Sequence, residues 1–288
     1  MSNDNWLYEI KPKGKLIDLN FKEIWQYRDL LVLFVKRDIV TVYKQTVLGP
    51  LWFVIQPLLT SVIFTLVFNG FGDLETPGGV NPFLFNLAGV TIWNYFKECL
   101  IGTSDTFKKN QNIFGKVYFP RVIMPLSITL SNLMKFVIQT GVFIVFYIYF
   151  SFKGQAGSPQ LTILFLPVLV LSMGLLGLGL GMIISSLTTK YRDLSVLVTF
   201  GVQLLMYLSC VPYSLEEIKS KEGWYQSAMP FIEYNPLTQI VEGFRTMALG
   251  DGKLDLIMLS YIIGTGVLVF LLGLIIFNKT ERTFIDTV

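Results

Sequence analysis

The chain has 288 residues, 52% hydrophobic and 15% charged, with a mean hydropathy of +0.57 and a net charge of +3. That apolar fraction exceeds what a soluble core can bury, which makes lipid the main solvent. There is no histidine, so His-based metal sites, general bases and proton relays are excluded, and nothing in the charge balance points to nucleic acid.

Residues 1–20 are polar and lack an apolar stretch followed by a small-residue cleavage site, so they are expected to remain as a cytoplasmic tail. Residues 21–48 follow. Helical spacing there gathers Phe21, Ile24, Trp25, Leu31, Val32, Val35, Ile39, Val42 and Tyr43 on one face, with Lys22, Glu23, Asp29, Lys36 and Arg37 largely off it. An amphipathic helix of this kind lies in the cytoplasmic headgroup layer or packs on its own bundle.

A spanning helix needs about 20 mostly apolar residues. Residues 45–72, 76–96, 154–189, 194–215 and 256–278 are free of charge, and 122–152 is interrupted only by Lys135. These predict six spans. Sixteen Lys and Arg fall on the side that carries both termini, against five on the other, so both ends are expected in the cytoplasm.

The loop between spans 2 and 3 mixes Lys108, Lys109, Lys116 and Arg121 with Phe107, Ile113, Phe114, Val117, Tyr118 and Phe119. It is either a short helix docking into a partner's groove or a loop tucked against the bilayer. Between spans 5 and 6, MPFIEYNPLTQIVEGFRTMALG is amphipathic but too short to cross, which predicts re-entrant or interfacial helices. Glu242 and Arg245, at i and i+3, can pair.

Several chemistries are missing. Gly115-Lys116 is followed by Val117 and has Asn110 five residues before the glycine, so no P-loop is present. No acidic residue lies deep in a span, which disfavours ion coupling. Lys97 and Glu98 sit near the cytoplasmic end of span 2, while the deeper Lys135 faces a wet cavity or reaches for the inner headgroups. Gly177 and Gly181 form a GxxxG for close helix packing. Cys99 and Cys210 are read as inert packing residues, and no metal site is expected.

Uncharged polar and aromatic stripes recur: Trp52, Gln56 and Thr60; Asn86, Val90, Trp93 and Lys97; Ser195, Thr199, Gln203 and Tyr207. Such stripes suit a hydroxyl-rich sugar substrate, or serve as polar glue between helices.

Four blocks carry a resemblance: KRDIVTVYKQTVLGPLWFVIQPLL from residue 36, NIFGKVYFPRVIMPLS from 112, KYRDL from 190 and NPLTQIVEGFR from 235. In order and spacing they resemble type-2 ABC exporter permeases for O-antigen and related polysaccharides, departing from that pattern in the first twenty residues and at Pro50. The resemblance implies an all-α protein of the bacterial inner membrane. Residues 21–48 would be an interfacial helix, 49–278 a six-span domain with gate helices between spans 5 and 6, and 279–288 a cytoplasmic tail.

It further implies a homodimer bound to a separate ABC ATPase homodimer that holds ATP and Mg, with no cofactor on this chain, moving a polysaccharide on a polyprenyl diphosphate. By the same resemblance Trp52, Gln56, Trp93, Tyr95, Thr199, Gln203 and Tyr207 line the channel. Arg37, Tyr43, Lys44, Gly49 and Arg121 border the cytoplasmic entrance. Asn110, Ile113, Phe114, Lys116 and Tyr118 couple to the ATPase, and Asn235, Pro236, Glu242 and Arg245 form the external gate. Export of teichoic acid or capsule by the same superfamily is the nearest alternative, and a drug-efflux permease is disfavoured by the KQTxLG and FPR blocks. A membrane-embedded glycosyl- or phosphotransferase is more remote, because the acidic residues are scattered rather than clustered at one face.

Overall fold

The computed structural model describes residues 21–45, 48–114, 116–117, 119–191, 193–220, 226–227, 229–250 and 255–285, and among these there is no strand. Two helices, α1 (Phe21–Gln26) and α2 (Arg28–Gln45), precede α3 (Trp52–Phe64), which opens on a 3₁₀ turn (Gly49–Leu51) and closes in a π turn (Thr65–Phe71). Then come α4 (Pro82–Ser104), α5 (Thr106–Phe114), α6 (Ile123–Phe152), α7 (Leu166–Thr188, entered by a 3₁₀ turn at Leu161–Phe165) and α8 (Leu194–Leu208). Three short helices, α9 (Leu215–Ser220), α10 (Met229–Glu233) and α11 (Pro236–Leu249), lead into α12 (Leu256–Ile285).

Helix α4 is the axis of the bundle. Asn81 caps it by accepting the Phe83 N–H at 3.0 Å, and Pro82 fills its first position, where no N–H is needed. From Leu84 to Trp93 every residue is buried, because α3, α6, α7 and α11 pack around it. Glycines set the distance to α7: a Cβ at Gly177 would sit 2.9 Å from that of Cys99, and one at Gly181 would sit 2.6 Å from that of Thr103. On the opposite side of α7, Gly179 and Gly273 bring its backbone against that of α12. The GxxxG therefore does what its spacing predicts.

Among the described residues, four helical segments are long and apolar enough to cross a membrane: Gly49–Phe71, Ile123–Phe152, Leu161–Thr188 and Leu256–Glu281. Their outer faces expose Leu59, Ile63 and Leu66 on α3, Val137, Val145 and Ile148 on α6, and Leu268 and Leu272 on α12. Water does not tolerate so continuous an apolar belt, whereas lipid does.

Two expected spans come out differently. The second is displaced toward the C-terminus: α4 runs on to Ser104 and carries Lys97 and Glu98 within it. A rule that ends a span at a charge stops too early, because the helix needs only partners for those charges. The fifth, expected over 194–215, ends as a helix at Leu208. Its 15 residues reach about 22 Å at 1.5 Å each, short of the roughly 30 Å of a bilayer core. Cys210 then takes a left-handed backbone at φ 53°, and the chain turns back through buried residues 209–212.

The amphipathic segment is broken at Tyr27, and its inward face differs from the one expected. Phe34, buried against Phe119 at 5.8 Å between ring centroids, anchors α2 together with Leu30 and Leu31. Trp25 and Val32 are exposed. One face of α2 therefore packs on the bundle while an apolar strip faces outward.

Candidate functional site

The channel residues fall into two groups. Trp52 and Gln56 on α3, and Thr199, Gln203 and Tyr207 on α8, are all exposed. The two helices approach at their far ends, where Phe68 lies 6.4 Å from the Tyr207 ring and 6.1 Å from the Tyr213 ring. Trp93 and Tyr95, by contrast, lie in the core at 2% and 5% exposure, against Phe96 and Phe136. In the single chain α4 is central, so these rings meet neighbouring helices, and Tyr95 also borders a small cavity that reaches Gln56. Asn86 behaves likewise, donating to Asn69 Oδ1 at 2.9 Å and Thr65 Oγ1 at 3.2 Å, which makes it glue between α3 and α4.

At the entrance, Arg37 is half-exposed and bonded to Asp38 at 2.8 and 3.0 Å. Lys44 is exposed, and the Tyr43 side chain lies outside the described residues. Gly49 is buried at φ 48°, a left-handed turn that favours glycine and sets the angle between α2 and α3. Arg121 does not border an opening. It is buried, donates to the Glu281 carbonyl at 3.1 Å, and stacks over Phe114 at 5.1 Å, fastening the turn before α6 to the end of α12. Burial lowers its pKa, and the Glu281 carboxylate opposes that shift.

The coupling segment is likewise divided. Phe114 is buried between Phe107 and Phe119, and Asn110 is buried with its amide on the Thr106 carbonyl at 2.9 Å. Both are covered in the single chain, because α5 is amphipathic and gives its apolar side to its own bundle. Lys116 is exposed and Ile113 partly so, while Tyr118 lies outside the described residues. Gln111, Asn112 and Val117, in the same segment but not singled out for coupling, are exposed beside them. Helical spacing from the buried Phe107, Asn110 and Phe114 is the signal that could have picked out the first two.

The residues expected at the gate lie close together. Asn235 caps α11 through the Leu237 N–H at 3.0 Å and reaches Ser209 at 3.1 Å, with Pro236 opening the helix. Arg245, 2% exposed, donates to the carbonyls of Cys210 at 2.9 Å, Tyr213 at 3.2 Å and Val211, and to Glu242 at 3.2 Å. Glu242 also accepts the Leu215 N–H at 3.2 Å. Thr238 and Tyr213 supply donors to the carbonyls of Leu208 and Tyr207. A helix end leaves its last carbonyls unpaired, and in a dry setting side chains must satisfy them. Residues of α11, with Tyr213 in the turn after α8, therefore make it possible for α8 to stop where it does.

Lys135 has a partner that the sequence did not reveal: its Nζ lies 3.6 Å from Glu98 Oε2, and Lys97 Nζ lies 3.9 Å from Glu98 Oε1. A cavity of about 410 Å³ opens beside them between α2, α3, α4 and α6.

Residues 29–249 match the model of the ABC-2 type transporter membrane domain, which takes in the bundle from α2 to the end of α11. The chain belongs to the ABC-2 type transporter family. It is 29% identical to an O-antigen export system permease protein RfbA of Klebsiella pneumoniae over 259 residues, 90% of this chain and 94% of that protein. A second Klebsiella pneumoniae RfbA is 28% identical with the same coverage. The Myxococcus xanthus RfbA is 26% identical over 226 residues, 78% of this chain and 82% of that protein.

Proposed function

We propose that this chain is the membrane-spanning permease subunit of an ABC exporter that carries an O-antigen type polysaccharide on a polyprenyl diphosphate across the bacterial inner membrane. The observation that carries this reading is the end-to-end match to permeases named for O-antigen export, 90% of the chain against 94% of the relative. Such a subunit is not itself an enzyme. ATP and Mg belong to a separate ATPase homodimer, and this chain pairs with a second copy of itself.

In that arrangement α3, α4, α6, α7, α8 and α12 count as six spans, with α8 completed by the turn and short helices that follow it. Both termini are cytoplasmic and α2 lies in the inner headgroup layer. The exposed apolar strip of α2 and the open faces of α3 and α8 support this reading. Trp52, Gln56, Thr199, Gln203 and Tyr207 face the path, Arg37 and Lys44 lie at its entrance, and α9 to α11 gate its outer end. The exposed residues Lys116, Val117, Gln111 and Asn112 contact the ATPase.

The test is complementation. In a bacterium whose own O-antigen permease has been deleted, this chain with its cognate ATPase should restore surface O-antigen. Restoration of a drug-resistance phenotype without surface polysaccharide would overturn the proposal.

A further inference from the structure

The cavity between α2, α3, α4 and α6 reaches Arg37, placed above at the entrance of the path, but its inner end at Glu98 and Lys135 has no part in the path or gate just described. Its chemistry is amphiphilic. Phe53, Met134 and Ile138 form an apolar wall, and Met134 and Ile138 are open to the surface. The polar side carries Arg37, Asp38, Glu98 and Lys135, with Lys97 immediately beyond Glu98. Counting Lys97, three cations face two carboxylates, and Asp38 is already taken by Arg37.

Two details point to an anionic occupant. Lys135 lies twelve residues into α6, about 18 Å along the helix, where a cation is expensive unless it has a counter-charge. Glu98 is that counter-charge only in part: both lysines stand at 3.6 and 3.9 Å from it, beyond hydrogen-bond distance, and each ammonium has three N–H donors. The loose triangle has room for a phosphate to take those donors.

We propose that this cavity binds an anionic glycerophospholipid. Its phosphate lies between Lys135 and Lys97 beside Glu98, and one acyl chain runs along Phe53, Met134 and Ile138. The same phosphate chemistry could be offered by inorganic phosphate or by a polyprenyl diphosphate. The apolar wall beside the charges favours a lipid over the former, and the surplus of a single positive charge matches one phosphodiester. This inference requires only that α4 and α6 lie in a bilayer; it is independent of the polymer exported.

The test uses the full chain purified in detergent, its thermal midpoint followed while phosphatidylglycerol, phosphatidylcholine, inorganic phosphate or a polyprenyl diphosphate is titrated in. Phosphatidylglycerol should raise the midpoint where phosphatidylcholine and inorganic phosphate do not. Lys135→Gln should weaken its apparent affinity by about fivefold, as one basic residue beside an anionic lipid is worth, and Lys135→Arg should retain it. Glu98→Gln, which removes a competing carboxylate, should tighten binding by a similar factor. If Lys135→Gln does not fold, Glu98→Gln and Lys135→Arg carry the test alone. Equal protection by phosphatidylcholine or by inorganic phosphate, protection by polyprenyl diphosphate only, or weaker binding in Glu98→Gln would each overturn the proposal.

Discussion

Arg245 on α11 lies with its guanidinium carbon 3.8 Å from the centroid of the Phe85 ring on α4, and Gly89 one turn further along α4 leaves the space its Nη2 occupies. This packing joins the central helix to the segment that ends α8. Arg245→Ala would leave three carbonyls without their guanidinium donor and Glu242 with only the Leu215 N–H. A loss of about 3 to 5 kcal/mol is expected, as for other broken buried charge pairs. Arg245→Lys should rescue little, because a single ammonium cannot span carbonyls on Cys210, Val211 and Tyr213. Gly89→Ala should fail in the same way, its Cβ colliding with the guanidinium. The amount of membrane-inserted protein and its thermal midpoint check all three, and a normal level of Gly89→Ala would contradict the geometry.

Trp93 and Trp52 should respond in opposite ways. Trp93→Ala leaves a cavity in a close-packed core and is expected to cost about 3 to 5 kcal/mol, with the protein lost from the membrane. Trp52→Ala and Tyr207→Ala remove exposed rings. Protein level should stay near normal while export falls, each ring being worth on the order of 1 kcal/mol in stacking. Measuring surface polysaccharide and inserted protein in the same cells separates the two kinds of loss.

The coupling surface gives a similar contrast. Phe114→Ala should destabilise the chain even without its ATPase, since Phe114 fills the space between Phe107 and Phe119. Lys116→Glu combined with Val117→Asp should leave the isolated chain as stable as before but reduce ATPase co-purification. Full co-purification in that double variant would move the contact elsewhere.

Topology can be read with thiols. Cys99 and Cys210 are buried and should give little background. A cysteine at Ser220 should react with an impermeant reagent in intact cells, and one at Gln111 should react only after the membrane is opened. Labelling at Gln111 from outside would invert the chain.

The helical class, the glycine packing of α7 and the Glu242–Arg245 pair were legible from period and spacing, because each depends on neighbours along one helix. What was not legible depended on which helix became central. Trp93 and Trp52 have similar local surroundings in the sequence, and only the encirclement of α4 distinguishes them. Arg121 reads as an available cation until the end of α12 arrives beside it. Glu98, six residues from the end of its helix, gave no sign that it would meet Lys135 on the next span. The early end of α8 was hidden as well: its charge-free run continues to Leu215, and the donors that allow it to stop lie some thirty residues later.

The glycine contacts along α7 have a mechanical consequence. Backbone meets backbone at Gly179 and Gly273, and Gly177 and Gly181 seat α7 on α4 with no long side chains between to slide or change rotamer. Close-packed interfaces of this kind have few intermediate positions. Helices α4, α7 and α12 therefore behave as a stator within each chain. Widening within the chain is expected from α3 and α8, so a crosslink between α7 and α12 should leave transport running where one between α3 and α8 stalls it.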